Sequence, residues 1–311
     1  MDPPNISDVK PTIIGAVITL NIIMNSLVIA VIASYPDLRD ERTTLFMLSL
    51  SVSDLASGCT AMPISAAVCS PSTPSAREAV VFLPKIHMFC VWWFGFNSLH
   101  SLCWVTVCKM VALLKPLRHE IILTRRIVIG IIVFNWVLGA AVAASRLSSG
   151  TLTFSTTTCT HYFVPTTRRS VQTISAYAFT MVLPGAVLVY ATVRIFIVVV
   201  RTHISLTAQV HPIGGGAGSA GLVTLQAIRS GRNVLVICAV SVVLTLPLVA
   251  FALLRNTIGN HKINTVFSFS AMWLFSCNSF MNSFLYLTLY RSLRQKTRRM
   301  FINVYETFRY G

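Results

Sequence analysis

The sequence predicts an all-α membrane protein: a seven-transmembrane helix bundle followed by a short C-terminal amphipathic helix. Of the 311 residues, 54% are hydrophobic and only 11% are charged, whereas soluble domains carry about a quarter charged residues. Apolar runs of membrane-spanning length recur along the chain and lack the strict alternation of barrel strands. We therefore expect residues 1–311 to form one membrane-embedded domain.

Seven apolar runs are long enough to cross a bilayer as helices. They lie at about residues 12–34, 43–68, 86–113, 125–147, 171–200, 231–256 and 263–290. The longest inner connection, about 201–230, contains HPIGGGAGSAG. This stretch predicts a flexible glycine-rich loop and not a phosphate-binding loop, because it lacks the Lys-Ser/Thr pair and a preceding strand.

The distribution of positive charge predicts the orientation of these runs. About two thirds of the Lys and Arg residues lie on the side of the C-terminus, and such an excess marks the cytoplasmic side. Residues 1–11 are then extracellular and residues 291–311 cytoplasmic, so Asn5 in the NIS triplet is a candidate glycosylation site. Because the cations flank apolar runs, the net charge of +16 indicates membrane topology and not nucleic-acid binding.

The stretch YRSLRQKTRRMFINVY after the last run predicts an amphipathic helix. Leu293, Met300, Phe301 and Val304 can share one face, and Arg and Lys residues occupy the rest. We expect this helix to lie on the anionic inner leaflet of the lipid bilayer. The alternative is a solvated basic tail.

One acidic residue, Asp54, falls inside a predicted span, and ionisable residues within membranes usually mark functional sites. The third run offers Ser98, and the stretch NSFMNSFLY in the seventh offers Asn278, Ser279 and Asn282. A carboxylate among hydroxyl and amide oxygens suits sodium better than a divalent ion, which prefers more carboxylates. The alternative is an interhelical hydrogen-bond cluster without an ion.

These motifs resemble those of the class A, rhodopsin-like G-protein-coupled receptors. NSFMNSFLY resembles the family's NSxxNPxxY motif, LSLSVSD its second-helix pattern, and ALLKPLRH the segment after its DRY box. Single positions on four further helices match family anchors: Asn25, Trp136, Pro184 and Pro247. The resemblance runs from about residue 12 to residue 304. It implies a plasma-membrane receptor that passes an extracellular or membrane-borne signal to heterotrimeric G proteins.

The resemblance also implies roles for the polar residues. Asp54, Ser98, Asn278 and Asn282 match the positions of a sodium and water network. Tyr286 matches a tyrosine that swings inward on activation. No cofactor other than the sodium ion is implied.

The chain departs from the family at the DRY position, which is Cys108, Lys109 and Met110. Lysine is a point charge and lacks the bidentate fork of arginine. The inner end of the sixth run supplies Arg229 and Arg232 but no acid, so we expect the family's inactive-state ionic lock not to form. The receptor is then either basally active or poor at coupling. The alternative is a receptor-like protein that does not couple and acts by pairing with other receptors or membrane proteins.

Two motifs of the sixth and seventh helices are altered as well. Ser283 replaces the proline of the seventh-helix motif, which removes a kink and restores a backbone donor. Thr245 in LTLP replaces the tryptophan that serves the family as a rotamer switch.

The family's outer disulfide is also altered, because its cysteine at the top of the third helix is missing. Cys159 stands in the predicted second outer loop, and its candidate partners are Cys69 and Cys90. The sequence does not choose between them.

The upper parts of the spans supply a candidate ligand pocket. Amine receptors place an aspartate where this chain has Val91, and opsins place the retinal-bearing lysine where it has Ser276. The remaining set is mainly apolar and suits a neutral or lipid-like ligand, or simple helix packing. The candidate pocket residues are Val91, Trp92, Gly95, Tyr177, Thr180, Thr245, Leu248, Ser268 and Met272.

A membrane enzyme or a transporter fits the sequence less well. Hydrolases with seven helices need clustered histidines and carboxylates, but only His87 and His100 can lie within a span, several turns apart. Transporters show internal repeats or broken helices in matching halves, which this chain lacks. We therefore expect no catalytic residues.

Overall fold

The computed structural model describes residues 6–69, 83–115, 118–147, 150–155, 157–165, 180, 182–209, 219–258 and 264–310. Its elements are, in chain order, α1 (Ile6–Ser34), α2 (Pro36–Asp40), α3 (Arg42–Cys59), α4 (Ala61–Cys69), α5 (Leu83–Leu114), α6 (His119–Ile122), α7 (Arg125–Leu147), β1 (Gly150–Ser155), β2 (Thr160–Pro165), α8 (Leu183–Gln209), α9 (Ser219–Ile258), α10 (Thr265–Leu289) and α11 (Arg291–Tyr310).

Six helical segments of the described chain are long and apolar enough to cross a membrane. They are Val9–Ser34, Arg42–Cys69, Leu83–Leu114, Arg125–Leu147, Leu183–Ile204 and Ile228–Phe251. The helix α10 has 25 residues, enough to cross as well, but its Asn and Ser residues lower its hydropathy. Because α10 packs between α1 and α9, it completes a bundle of seven spans.

The inner ends of two helices extend further than the sequence indicates. The predicted flexible loop over 201–230 is wrong for most of its length, because α8 continues to Gln209 and α9 begins at Ser219. The apolar run ends where the helix leaves the membrane, but the helix itself continues with polar residues. Residues 210–218, with most of the glycine-rich stretch, lie outside the described residues.

The outer connection between α7 and α8 contains a β-hairpin that the sequence analysis missed. The strands β1 and β2 pair antiparallel, with Phe154 opposite His161. Cys159 lies in the turn and is disulfide-bonded to Cys69 at the end of α4. The structure therefore selects Cys69 over Cys90, which is a buried free thiol. The disulfide ties the hairpin to the second span.

The core and the outer surface of the bundle are both apolar. Phe46, Leu50 and Ile237 belong to the largest buried cluster, in the inner half of the bundle. Phe134 of α7 and Val243 of α9 are among many large apolar residues exposed on its outside. Such a surface is expected where the surrounding solvent is lipid.

The C-terminal helix is present as the sequence predicts. Leu293 is buried and Met300 packs against the core, whereas Phe301 and Val304 are exposed. The helix therefore attaches to the bundle along one edge and offers a second apolar edge to a bilayer surface.

Candidate functional site

The buried polar cluster is centred on Asp54 of α3, which is 2% exposed. Its carboxyl group lies beside Ser98 of α5 and beside Ser279 and Asn282 of α10. The structure thus brings together side chains from three helices that are far apart in sequence.

Several buried polar atoms in this region lack a hydrogen-bond partner within the described part of the chain. They are Asp54 Oδ2, Asn278 Oδ1, Asn282 Nδ2 and Tyr286 OH. Buried polar atoms in folded proteins are nearly always paired with protein or water. Three of these four atoms are oxygens, the ligand type that hard cations take. The donor set therefore fits a sodium ion with its waters.

A second layer of polar residues joins α1, α3 and α10 below Asp54. The Ser283 hydroxyl donates to Asn25 Oδ1 at 2.6 Å and lies 3.2 Å from the Ser51 hydroxyl. Asn25 donates in turn to Asn21 Oδ1 at 2.6 Å. Asn21 donates to the backbone carbonyl of Asp54 at 2.8 Å. This layer fixes α1 against α3 and α10, two of the three helices that carry the predicted cation ligands.

Asn25 and Ser283 were noted in the sequence only as a family anchor and a replaced proline, and the hydrogen bonds of this second layer were not predicted. Asn21 and Asn25 lie four residues apart in an apolar run, which places them on one helix face. This spacing in the sequence could have indicated a polar pair on one face of α1. Ser283 was treated as the loss of a proline kink, but its hydroxyl also contributes two contacts to the layer.

Tyr286 is buried below this layer. Its ring packs against Tyr290 with the ring centroids 5.9 Å apart, and it belongs to the largest apolar cluster. An inward swing of Tyr286 stays a prediction, because the structure holds one conformation of the bundle.

Lys109, at the inner end of α5, has an acidic partner. Its Nζ lies 3.2 Å from Glu41 Oε1 and 5.4 Å from the Tyr290 ring centroid. This partner was not expected from the sequence, because Glu41 comes from the first inner connection and not from the sixth helix. The Lys109 side chain is 13% exposed, so the pair is partly shielded from water.

Two neighbouring acids of the same connection also form ion pairs. Asp37 pairs with Lys296 of α11 at 2.9 Å, and Asp40 pairs with Arg125 of α7 at 2.5 Å. We call Asp37, Asp40 and Glu41 the acidic loop. The hydrogen bond from Lys296 holds the pKa of the Asp37 carboxyl below its usual value. The acidic loop thus binds basic residues of three helices at the end of the bundle that carries α11.

The other residues predicted to face a G protein differ in exposure. Cys108 is fully buried, so it does not face a partner in this conformation, and its contact with a G protein stays a prediction. It lies one residue before Lys109, on the core side of the helix. Met110 packs against an apolar cluster of α8 and α9. Arg229 and Arg232 of α9 are exposed.

The candidate ligand-pocket residues lie on α5, α9 and α10, with Thr180 before α8. Thr245 donates its hydroxyl to the Ser241 carbonyl at 2.7 Å, and Ser268 donates to the Asn264 carbonyl at 3.0 Å. The hydroxyls of these two predicted ligand contacts therefore already donate to carbonyls of their own helix or its cap. Thr180 is buried. Tyr177 lies outside the described residues.

The remaining members of the set are mainly half-buried. Met272 packs beside the cluster that contains Phe269. Val91, Trp92 and Leu248 are half-buried, and Gly95 is exposed.

One residue near this set was missed. Arg146, counted in the sequence only as a flanking cation, is buried, and its guanidinium lies 4.6 Å from the Trp92 ring centroid. Its position inside the apolar run AVAASRL was the signal.

A cavity of about 480 Å³ lies at the junction of α10 and α11. None of the candidate ligand-pocket residues contributes to it. Its lining is Leu287, Arg294, Thr297, Arg298, Phe301, Ile302 and Tyr305.

Comparison with known proteins agrees with a bundle of seven spans. Residues 24–286 match the model of the family described as 7 transmembrane receptor (rhodopsin family). A curated relative, the D(1) dopamine receptor of Carassius auratus, is 28% identical over 136 residues, which is 42% of this chain. The chain spans 35% of the length of that relative. The family match includes Asp54, Lys109 and Tyr286.

Proposed function

Because the chain belongs to the rhodopsin family of seven-transmembrane receptors, we propose that it carries a signal across the plasma membrane to heterotrimeric G proteins. It is a multi-pass membrane protein and a receptor. The observation that supports the proposal most is the buried cluster in which Asp54 meets Ser98 and Asn282 across three helices. A cluster with unpaired polar atoms can adopt a second arrangement, and a receptor needs such a two-state element.

The proposed cation ligands are Asp54, Ser98, Asn278 and Asn282. A bound sodium ion would supply a positive charge opposite the buried Asp54 carboxylate. The second polar layer around Asn25 and Ser283 keeps α1, α3 and α10 in register. Tyr286, whose hydroxyl has no partner among the described residues, can gain one when the helices move.

The proposed G-protein site is the inner end of α5, α8 and α9. In the active state α9 would swing outward and expose Lys109 and Met110 together with Arg229 and Arg232. The basic inner surface would attract the G protein over a longer range.

The Lys109–Glu41 pair must open before Lys109 can serve this site. A single ion pair near a surface contributes about 1 kcal/mol or less. Such a restraint permits basal activity, and we propose that the receptor signals measurably without a ligand.

The proposed ligand is neutral or lipid-like. The relative from Carassius auratus is named for dopamine, but this chain has Val91 where amine receptors carry an aspartate. The candidate pocket residues Val91, Trp92 and Leu248 are apolar, and Ser268 and Thr245 use their hydroxyls within the protein. A charged group also lies against this set, the Arg146 guanidinium, which stacks on the Trp92 ring. We also propose an extracellular N-terminus with a glycan at Asn5, which lies outside the described residues, and a cytoplasmic C-terminus.

A second candidate function is a receptor-like protein that pairs with other membrane proteins, including other receptors, without coupling. It is favoured by the engagement of Lys109, which contacts both Glu41 and the Tyr290 ring and so is not free to contact a G protein in this conformation.

The test is G-protein dissociation without ligand, measured across the main Gα classes in cells with confirmed surface expression. Signal above an empty-vector control supports coupling and identifies the G protein. Silence of both wild type and Lys109→Arg at equal surface expression would favour the pairing function.

A further inference from the structure

Two histidines meet at the outer end of the bundle, about one turn of α5 beyond Val91 of the candidate ligand pocket. His87 lies near the start of α5 and is 1% exposed, and His161 lies in β2 and is half-buried. Their Nδ1 atoms are 3.2 Å apart, and their ring centroids are 4.9 Å apart.

The two distances can be compared with those of a hydrogen bond and of a shared ligand. A straight N–H···N bond of this length would place the ring centroids about 5.5 Å apart, and a bend at the hydrogen brings them closer. Two imidazoles bound to one tetrahedral zinc ion have nitrogens about 3.4 Å apart and ring centroids about 5 Å apart. The observed 3.2 Å and 4.9 Å are compatible with a bent hydrogen bond and also with two ligands of one ion.

The surroundings of His87 fit a metal ligand. The hydroxyl of Ser65 in α4 lies 2.8 Å from His87 Nε2. When Nε2 carries the proton and donates it to Ser65, the Nδ1 lone pair is left for a metal. Ligand histidines are usually fixed in this way by an acceptor at the other ring nitrogen. The Phe154 ring, 5.2 Å from the His161 ring, restricts the orientation of the second imidazole.

We propose that His87 and His161 form a binding site for zinc at the extracellular face. The two remaining positions of a tetrahedral ion would be open to water. Within the described ranges, no third His, Cys, Asp or Glu joins the pair, so we expect weaker binding than at a structural zinc site. His161 is half-exposed, which gives the ion access from outside.

Zinc at this site would cross-link the hairpin to α5. The Cys69–Cys159 disulfide already ties the same hairpin to α4. With both links, the hairpin would be held over the outer ends of two spans.

The experiment uses full-length receptor in lipid nanodiscs, prepared without a polyhistidine tag and stripped with a chelator. Zinc binding is measured by calorimetry, with magnesium as the comparison ion, and melting is followed with and without zinc. The variants are His161→Ala, His161→Gln and Ser65→Ala. The matched control is His203→Ala, at an exposed histidine near the inner end of α8.

Wild type and His203→Ala should bind zinc and melt at a higher temperature in its presence. Both His161 variants should lose at least about tenfold in zinc affinity, and Ser65→Ala about tenfold. Equal melting of the variants and wild type in chelator shows that they fold, and the proposal is judged on whichever His161 variant meets this condition. Wild-type zinc affinity in that variant would overturn the proposal. A wild type that shows no preference for zinc over magnesium would also overturn it.

Discussion

The second polar layer inside the bundle and the acidic loop at the end that carries α11 both join several helices through polar contacts, but in different surroundings. In the second layer, neutral groups such as Asn25 and Ser283 bond at 2.6 Å in the dry core. In the acidic loop, full charges meet near water, and Asp40 and Arg125 are 68% and 52% exposed. A buried group that loses its partner costs about 1–3 kcal/mol, whereas an exposed ion pair contributes about 0–1 kcal/mol. The buried layer is therefore suited to hold the bundle together, and the ionic contacts are suited to open and close.

Replacement of Asn25 should give the largest effect. Asn25→Ala removes the acceptor of the Ser283 hydroxyl and the donor to Asn21, so we expect a loss of about 1–3 kcal/mol in stability. The measurement is the melting temperature in detergent. The control is Thr19→Ala on the same helix, because the exposed Thr19 hydroxyl donates to the Gly15 carbonyl of that helix. Equal melting of the two variants would contradict the stabilising role of the second layer.

Sodium binding should give the second-largest effect, again in the buried region. At a sodium concentration about ten times the dissociation constant, binding stabilises the folded state by about 1.4 kcal/mol. Wild type should melt at a higher temperature in sodium chloride than in choline chloride, and Asp54→Asn should lose this difference. If wild type melts equally in both salts, the cluster is a hydrogen-bond network without an ion.

Lys109→Arg tests the ionic region through signalling. Arginine offers a bidentate fork that lysine lacks, so coupling should rise by a few fold if the inner face is a G-protein site. G-protein dissociation is compared with wild type at matched surface expression. Arg118→Lys, at an exposed residue of the next connection, is the control. No change in signal for Lys109→Arg would argue against a G-protein site at this position.

The smallest expected effect is the change in stability with pH that the Asp37–Lys296 pair produces. The hydrogen bond from Lys296 lowers the pKa of Asp37 from 3.8. Above the ordinary pKa of 3.8 the Asp37–Lys296 pair therefore contributes its full stabilisation of the folded state. This stabilisation is lost as the pH falls through the lowered pKa of the folded state. Asp37→Asn should melt slightly below wild type at pH 7, and the two should converge at the acid end. A difference that persists in strong acid would show that the ion pair is not its source.

The sequence predicts the helices better than the contacts between them. Spans and motifs were enough to propose Asp54, Ser98 and Asn282 as neighbours, because a lone acid in lipid needs polar partners. Glu41 could not be assigned to Lys109, since the two are 68 residues apart and only the folded chain brings them together. The choice of Cys69 over Cys90 likewise depends on where the hairpin lies.

The missed β-hairpin and the extended inner ends of α8 and α9 have a common reason. Hydropathy marks where a chain is in lipid, but not where its secondary structure ends. The strands β1 and β2 are six residues each, too short to produce an apolar run of membrane-spanning length.

The central claim is that this receptor couples to a G protein and that the Lys109–Glu41 pair restrains it. The most direct test is ligand-independent G-protein dissociation for wild type, Glu41→Gln and Asp40→Asn at matched surface expression. Asp40 is the control, because it pairs with Arg125 and not with Lys109. We expect Glu41→Gln to raise the basal signal by up to about fivefold, the equivalent of about 1 kcal/mol, while Asp40→Asn stays at the wild-type level. Equal signals from wild type and Glu41→Gln, or silence from all three, would contradict the account.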